Sequence, residues 1–406
     1  MFKLKILLSP SIVRFSPRRE FSNRSPAFRD SYSSEIPYVT AKHLIENINT
    51  YHEVIDVRTP SEHAEDNVLN TATNLPVLSE EERVEVGTLY SKDKFKARKI
   101  GAALISRNIH RHVMEHFLEK DKSYRPLIYC WRGGQRSRSL AIVLQEIGFQ
   151  PTLLWGGYKE YRRLVRGSLC QDEDQFRHFT FLRVSGPTGS GKSLVLESLE
   201  ERGEQVLHLE RLARHKGSVL GQYPGDVQPG QKMFETHIYQ KLETEFTPEK
   251  VVWVENESSK IGSLIIPLGV WRKMGRSARV QLEVGLEDRV QFILSDYHYF
   301  CSEEARPELL EILTRPERYA GQKRSSYWVE LVREGRYKEL VRDLIINYYD
   351  VNYKKPSPDP VQTFQLGEGI LLEKQRLLES QLITDLVTFG QNSLENVEEE
   401  ELSVHF

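Results

Sequence analysis

Apolar positions along this chain fall into short, β-branched runs separated by longer amphipathic stretches. Val54-Ile55-Asp56-Val57, Leu127-Ile128-Tyr129-Cys130 and Thr152-Leu153-Leu154-Trp155 read as strands. Between the first two, residues 96–108 and 110–119 read as helices. Residues 137–146 put Leu140, Val143 and Leu144 on one face, continued by Ile147, and Gly148 then stands where a helix-ending glycine belongs. Strands alternating with helices predict a parallel α/β sheet. A second alternation starts at Phe181, with strands over 181–185, 205–209, 251–254 and 280–284 and a helix over 192–202. From Glu287 to Tyr353 the pattern is mainly helical, and Pro356, Pro358 and Pro360 end it.

This pattern divides the chain into a first α/β domain over 36–166 and a polar linker over 167–180 that carries Gln171-Asp172-Glu173-Asp174-Gln175. A second α/β domain over 181–300 follows, then a helical part over 301–355. A partly disordered tail over 356–406 ends in the acidic run Glu398–Glu401. No internal repeat is present.

Composition narrows the function classes. The 406 residues suit two or three domains, and the formal net charge of -2 excludes a global basic field. Any RNA contact must therefore come from a local patch. No apolar run approaches the ~18 residues a membrane-spanning helix needs. Cys130, Cys170 and Cys301 are odd in number and far apart, which argues against a disulfide framework or a zinc cluster. No metal ligand set is expected, and a cysteine is left free for chemistry. Up to Arg29, the cations Lys3, Lys5, Arg14, Arg18, Arg19, Arg24 and Arg29 face one acid, Glu20, in a serine-rich start. Residues 1–35 thus have the make-up of an organelle transit peptide, with Arg19-Glu20-Phe21-Ser22 like a matrix-peptidase site. The mitochondrial matrix is the expected address, ahead of plastid or cytoplasm. A plain basic tail is the alternative.

Cys130-Trp131-Arg132-Gly133-Gly134-Gln135-Arg136-Ser137 joins a buried strand to a helix. A cysteine there lies at the carboxyl edge of a parallel sheet, where such folds bind ligands. Gly133 and Gly134 let the turn curl its N–H groups around the sulfur, and the following helix adds partial positive charge. Arg132 and Arg136 add full charges. Each favours thiolate over thiol, the setting of a nucleophile rather than of a buried structural cysteine.

Gly186-Pro187-Thr188-Gly189-Ser190-Gly191-Lys192-Ser193 fits the phosphate-loop pattern and stands between a strand and a helix, as that motif requires. Backbone N–H groups would wrap a phosphate at the helix start, with Gly186, Gly189 and Gly191 shaping the loop. Lys192 would supply a point charge, and Ser193 a hydroxyl for Mg²⁺. Glu255 and Glu257, at the end of an apolar strand, are candidate acids near the phosphates.

The Cys130 loop resembles the active-site loop of rhodaneses. Asp56-Val57-Arg58 with Glu62, and Asn74-Leu75-Pro76, resemble earlier rhodanese signatures, whose Asp and Arg brace the fold. The order of this loop and Gly186–Ser193 in one chain resembles the bacterial-type tRNA 2-selenouridine synthases. So do Glu82–Gly87, Trp155–Tyr158, His215–Ser218, Gln228–Lys232, Val254–Ser258 and Tyr348–Asp350. The resemblance covers roughly residues 36–355.

It implies a rhodanese-like domain followed by a P-loop domain, acting on the wobble 2-thiouridine of tRNA. A geranyl group from geranyl diphosphate would be attached to the sulfur, and selenium from selenophosphate would then replace that sulfur. Cys130 would serve the selenium step and the P-loop the diphosphate. No cofactor is implied as tightly bound, though Mg²⁺ or a nucleotide at the P-loop stays open. The partners implied are tRNA and the enzyme that supplies selenophosphate. Arg214, Lys216 and Asn256 depart from the family pattern, and Asn256 weakens a metal-ligand role at its position.

Residues 315–342 interleave cations, among them Arg324 and Arg336, with Tyr319, Tyr327, Trp328 and Tyr337. Cations neutralise phosphates and rings stack on unpaired bases, which makes Arg324 and Arg336 RNA-binding candidates. Glu330, Glu334 and Glu339 dilute that charge and favour a solvated helical face. Two other readings remain. One is a rhodanese-type sulfurtransferase fused to a nucleotide-dependent P-loop domain. The other is a non-catalytic phosphate- and RNA-binding module, against which Cys130, Lys192 and Ser193 count.

Overall fold

The computed structural model describes residues 35–404 apart from Asn70, 171–175, Arg177, Val219, Pro224, 315–320 and 354–358, with side chains to Glu395. The transit-like start, the acidic run of the linker, Arg315, Pro356, Pro358 and the side chains of the terminal glutamates lie outside the described residues. The chain forms two compact units, one of Met1–His63 with Thr71–Tyr161, the other of Ala64–Asn70 with Arg162–Phe406. No described helix is long and apolar enough to cross a membrane.

In the first unit, β1 (Tyr38–Val39), β2 (Glu53–Asp56), β3 (Thr73–Asn74), β4 (Pro126–Tyr129) and β5 (Thr152–Leu154) form one sheet in the order β1-β5-β4-β2-β3. Every pairing is parallel, with Leu127 opposite Val54 and Ile128 opposite Ile55. Helices α1 (Ala41–Glu46), α3 (Glu80–Lys92), α4 (Lys94–His112) and α5 (Gln135–Ile147) lie in this unit, and α2 (Pro60–Glu65) and α6 (Gly157–Cys170) begin in it. Ile55, Ile128, Leu140, Leu144 and Leu153 fill the core between sheet and helices. The two helices expected over 96–119 are one, because α4 runs on through a π-helical turn, Val113–Phe117. Gly148 ends α5 in the left-handed region, as its position promised.

In the second unit, β6 (Phe181–Ser185), β7 (Gln205–Leu207), β8 (Val252–Glu255), β11 (Ala278–Glu283) and β12 (Gln362–Gln365) form a parallel sheet in the order β12-β11-β6-β8-β7. A small antiparallel pair, β9 (Lys260–Ile261) and β10 (Leu264–Ile265), stands apart from it. Helix α7 (Lys192–Glu201) packs Val195, Leu196 and Leu199 against the sheet. A separate cluster of Phe300, Leu309, Trp328, Leu331 and Leu344 holds the helical part together.

Two boundaries differ from the sequence reading. The linker expected from 167 is helical up to Cys170, and Phe176 and Phe179 beyond it are buried. Much of the tail over 356–406, as far as it is described, joins the fold. Val280 pairs with Gln362 and Glu283 with Gln365, while Phe364, Leu371, Leu377, Ile383 and Leu386 enter the core. The helical part ends at Asn352, and later residues form β12 and a long helix, Gln381–Val404.

Candidate active site

The thiol loop starts where β4 ends. Cys130 is buried, and its Sγ accepts the Gly134 N–H at 3.2 Å. Ser137 Oγ stands 3.3 Å from the sulfur and 3.2 Å from the Gly134 carbonyl. The first turn of α6 backs this loop. The N–H of Tyr158 donates to Cys130 O at 2.9 Å and that of Lys159 to Trp131 O at 3.0 Å. This approach needs Gly157: at φ 59°, a Cβ there would lie 2.1 Å from Cys130 O. The Trp131 and Tyr158 rings pack at 5.1 Å.

The two loop arginines do different work. Arg136 is spent on Glu62 at 2.8 Å, whose carboxylate also accepts the Thr59 N–H at 3.1 Å. Arg132 is exposed and forms no ion pair among the described residues, so its charge is the one available to an incoming anion. Asp56 and Arg58 are buried and doubly bonded to each other, with Tyr129 OH at 2.9 Å from Asp56. Burial raises the Asp56 carboxyl, yet hydrogen bonds from His63 and Arg58 hold it below its ordinary range. The Arg58 guanidinium lies 4.2 Å from the Tyr158 ring, so this pair braces the wall behind the thiol loop, as the signature implied. Cys170 and Cys301 are elsewhere, and burial pushes both thiols up.

The second unit carries the phosphate loop between β6 and α7. Gly189 and Gly191 adopt positive φ. Lys192 Nζ donates to Gly186 O at 3.1 Å, which keeps its ammonium at the loop. Arg289 holds the loop from outside, donating to Thr188 O at 2.9 Å while it pairs with Asp350. Asp350 belongs to the Tyr348–Asp350 stretch, which the sequence marked without showing its task.

Glu255 is buried at the end of β8 and accepts the Leu209 N–H at 2.9 Å. Burial pushes its carboxyl up to about 7. The sequence reading missed Glu210, whose carboxylate takes the Ser193 hydroxyl at 3.2 Å. Burial, then repulsion from Glu257 and Glu255, raises Glu210 well above the carboxylate range. Glu210 lies in a short helix with no recognisable motif, so only the fold brings it to the loop. Ser193, Glu210 and Glu257 offer hard oxygen donors of the type Mg²⁺ takes, and a cation there would relieve that repulsion. Asn256 is turned away to Arg183, at 2.9 Å.

An apolar recess opens beside the phosphate loop. It is narrow, with a cavity volume of about 50 Å³, and its lining includes Thr188, Ile293, Tyr297, Leu340, Leu344 and Tyr349. Lys216 borders Tyr297, with Nζ 4.2 Å from the ring centre and 2.8 Å from the Asp296 carboxylate. The RNA candidates are engaged within this unit. Arg324 pairs with Asp343 at 3.0 Å, and Arg336 is held between Glu334 and Glu339.

Comparison with known proteins matches both halves in this order. Residues 40–164 match the rhodanese-like domain, and residues 179–313 match the tRNA 2-selenouridine synthase AAA domain. The second half of the chain is thus similar to the tRNA 2-selenouridine synthases. It is 34% identical over 250 residues to the tRNA 2-selenouridine synthase of Nitrosomonas europaea, covering 60% of this chain and 63% of that protein. The Bdellovibrio bacteriovorus family member is 34% identical over 253 residues, covering 60% and 64%. That of Alcanivorax borkumensis is 29% identical over 329 residues, covering 74% and 88%. The chain thus spans slightly less than two thirds of the first two relatives. In family terms, the rhodanese match contains the whole thiol loop, and the AAA match contains the phosphate loop with Glu210, Glu255 and Glu257.

Proposed function

We propose that this chain replaces the sulfur of wobble 2-thiouridine in tRNA with selenium from selenophosphate, by way of a geranylated intermediate made from geranyl diphosphate. The domain order and the named relatives support the overall reaction. The geranyl step rests on one observation: the phosphate loop and the apolar recess share Thr188. A phosphate site that opens into an apolar recess suits a diphosphate with a hydrocarbon tail better than a nucleotide, whose sugar and base need polar partners.

Geranylation has a chemical purpose. A thiocarbonyl sulfur is a poor leaving group, whereas an S-alkyl sulfur departs as a thiol once a selenium nucleophile adds to the ring carbon. In the first half-reaction Lys192 and the loop N–H groups stabilise charge developing on the departing diphosphate. Mg²⁺ bound by Ser193, Glu210 and Glu257 would neutralise the same oxygens. In the second, selenium of the selenophosphate adds to the ring carbon, geranylthiol leaves and water takes the phosphoryl group, with Cys130 beside the incoming selenium and Arg132 drawing in the anionic donor.

Mass spectrometry of nucleosides from 2-thiouridine tRNA, incubated with the protein, geranyl diphosphate and selenophosphate, tests the reading. Wild type should give 2-selenouridine, Cys130→Ala should stop at the geranylated base, and Lys192→Ala should leave 2-thiouridine. ATP turnover and thiosulfate sulfurtransfer without any change in tRNA would favour the fused sulfurtransferase instead.

A further inference from the structure

Helices α3 and α4 form an antiparallel hairpin in the first unit whose two ends differ. Near one end the charges are internally paired, with Arg107 on Glu82, and Arg83 and Arg111 each within 4.0 Å of a glutamate. At the turn between the helices, Lys92, Lys94, Lys96, Arg98 and Lys99 are all exposed. None of the five has an ion pair among the described residues, and the acid between the helices, Asp93, is occupied capping α4 through the Lys96 N–H at 2.9 Å. Two rings stand among these cations. Phe95 is 70% exposed and Tyr90 42%, and Lys99 Nζ lies 4.9 Å from the Phe95 ring centre.

This tip has no evident duty in the core. Helix α3 buries none of its residues, and the first turns of α4 bury only Ala97. Five close cations repel one another, and an exposed Phe costs solubility. Both burdens are relieved by a partner that brings regularly spaced negative charge and flat apolar faces. Single-stranded RNA has both: phosphates for the cations and bases for the rings. An anionic membrane fits less well, because Leu89 and Ile100 are only half exposed and two rings give too little apolar face for an interfacial helix.

We propose that the α3–α4 tip is a docking surface for the tRNA, with the five cations on backbone phosphates and Phe95 stacked on an unpaired base. This rests on tRNA being the substrate. The surface was not legible as an RNA site in the sequence, where the segment holding Arg324 and Arg336 draws the eye. In the fold those two arginines are neutralised by Asp343, Glu334 and Glu339, whereas the hairpin tip is not.

The test is binding of a fluorescently labelled, 2-thiouridine-containing tRNA to the full chain across a salt series, read by anisotropy. Lys94→Glu with Arg98→Glu should weaken binding at least about tenfold at 0.1 M salt and flatten the log–log salt slope by about 1.4. Phe95→Ala should weaken it about fivefold or more and leave the slope unchanged. These side chains are exposed and Asp93 and Ala97 stay in place, so circular dichroism and melting temperature should match wild type. Affinity and slope unchanged in both variants would overturn the docking surface while leaving the reaction standing. Loss of binding on Arg324→Glu with Arg336→Glu, but not on the hairpin variants, would overturn it equally. Phosphatidylserine vesicles that bind wild type but not Phe95→Ala, with tRNA affinity unaffected, would make the tip a membrane contact. A wild-type chain with no affinity for tRNA would sink both this proposal and the reaction it rests on.

Discussion

Leu371 packs directly on Gly191 of the phosphate loop, so close that a Cβ on the glycine would lie 2.3 Å from a Leu371 methyl. A residue nearly two hundred positions later in the chain thus supports the loop at the point where φ is 75°. Leu371→Ala should cost roughly 2–5 kcal/mol of stability and loosen the loop. Gly191→Ala should add about 1–2 kcal/mol of backbone strain to the clash. Thermal unfolding and calorimetric titration with inorganic diphosphate check both, and normal diphosphate affinity in either variant would break the link between tail and loop.

The contact between Gly157 and Cys130 O predicts an activity loss without a missing functional group. Gly157→Ala must push α6 away from the thiol loop or twist the loop itself, since the clash is with backbone and cannot be relieved by a side chain. Selenium incorporation should fall by roughly a hundredfold or more, as 1 Å displacements of reacting groups do. Geranylation, which the proposed reaction assigns to the other loop, should persist. Equal loss of both products in the nucleoside assay would contradict this division of labour.

Glu255 makes the second unit sensitive to pH. Its carboxyl is pushed from an ordinary 4.5 up to about 7, chiefly by burial. A pKa raised by folding contributes stability that is complete below the unfolded value and is lost as pH rises through the folded one. The loss falls between about 4.5 and 7 and is on the order of 3 kcal/mol. Buried His208 acts in the opposite sense. Its pKa is pushed down to about 4, so its contribution is lost as pH falls below the ordinary 6.5. Glu255→Gln keeps an acceptor for the Leu209 N–H but removes the titration. Urea unfolding from pH 5 to 8 should show the variant gaining on wild type as pH rises; a constant difference would refute the assignment.

The recess beside Thr188 predicts a split between two ligands. Leu344→Trp adds bulk to its wall and leaves the phosphate loop untouched. Affinity for geranyl diphosphate should drop at least about tenfold, since several methylenes lose burial, while affinity for inorganic diphosphate stays within twofold. Parallel losses for both ligands would mean that the tail does not enter the recess.

The sequence by itself determined the parallel α/β class, the places of β2, β4, β6 and β8, and the two loops that follow β4 and β6. These are local signals: a buried parallel strand must be a continuous apolar run, and a loop that wraps an anion must contain glycine at fixed spacing. It also marked Glu255 and Glu257, and Asp56 with Arg58, because each lies within or next to a run that could be read. Tertiary structure alone decided the rest. Glu210 reaches Ser193, Arg289 grips Thr188, Gly157 backs Cys130 and β12 completes the second sheet across long stretches of chain that leave no periodic trace. The same physics separated the basic segments. Lys and Arg look alike in a sequence whether or not an acid from another turn neutralises them, and only the packing shows that Arg324 and Arg336 are paired while the cations around Phe95 are not.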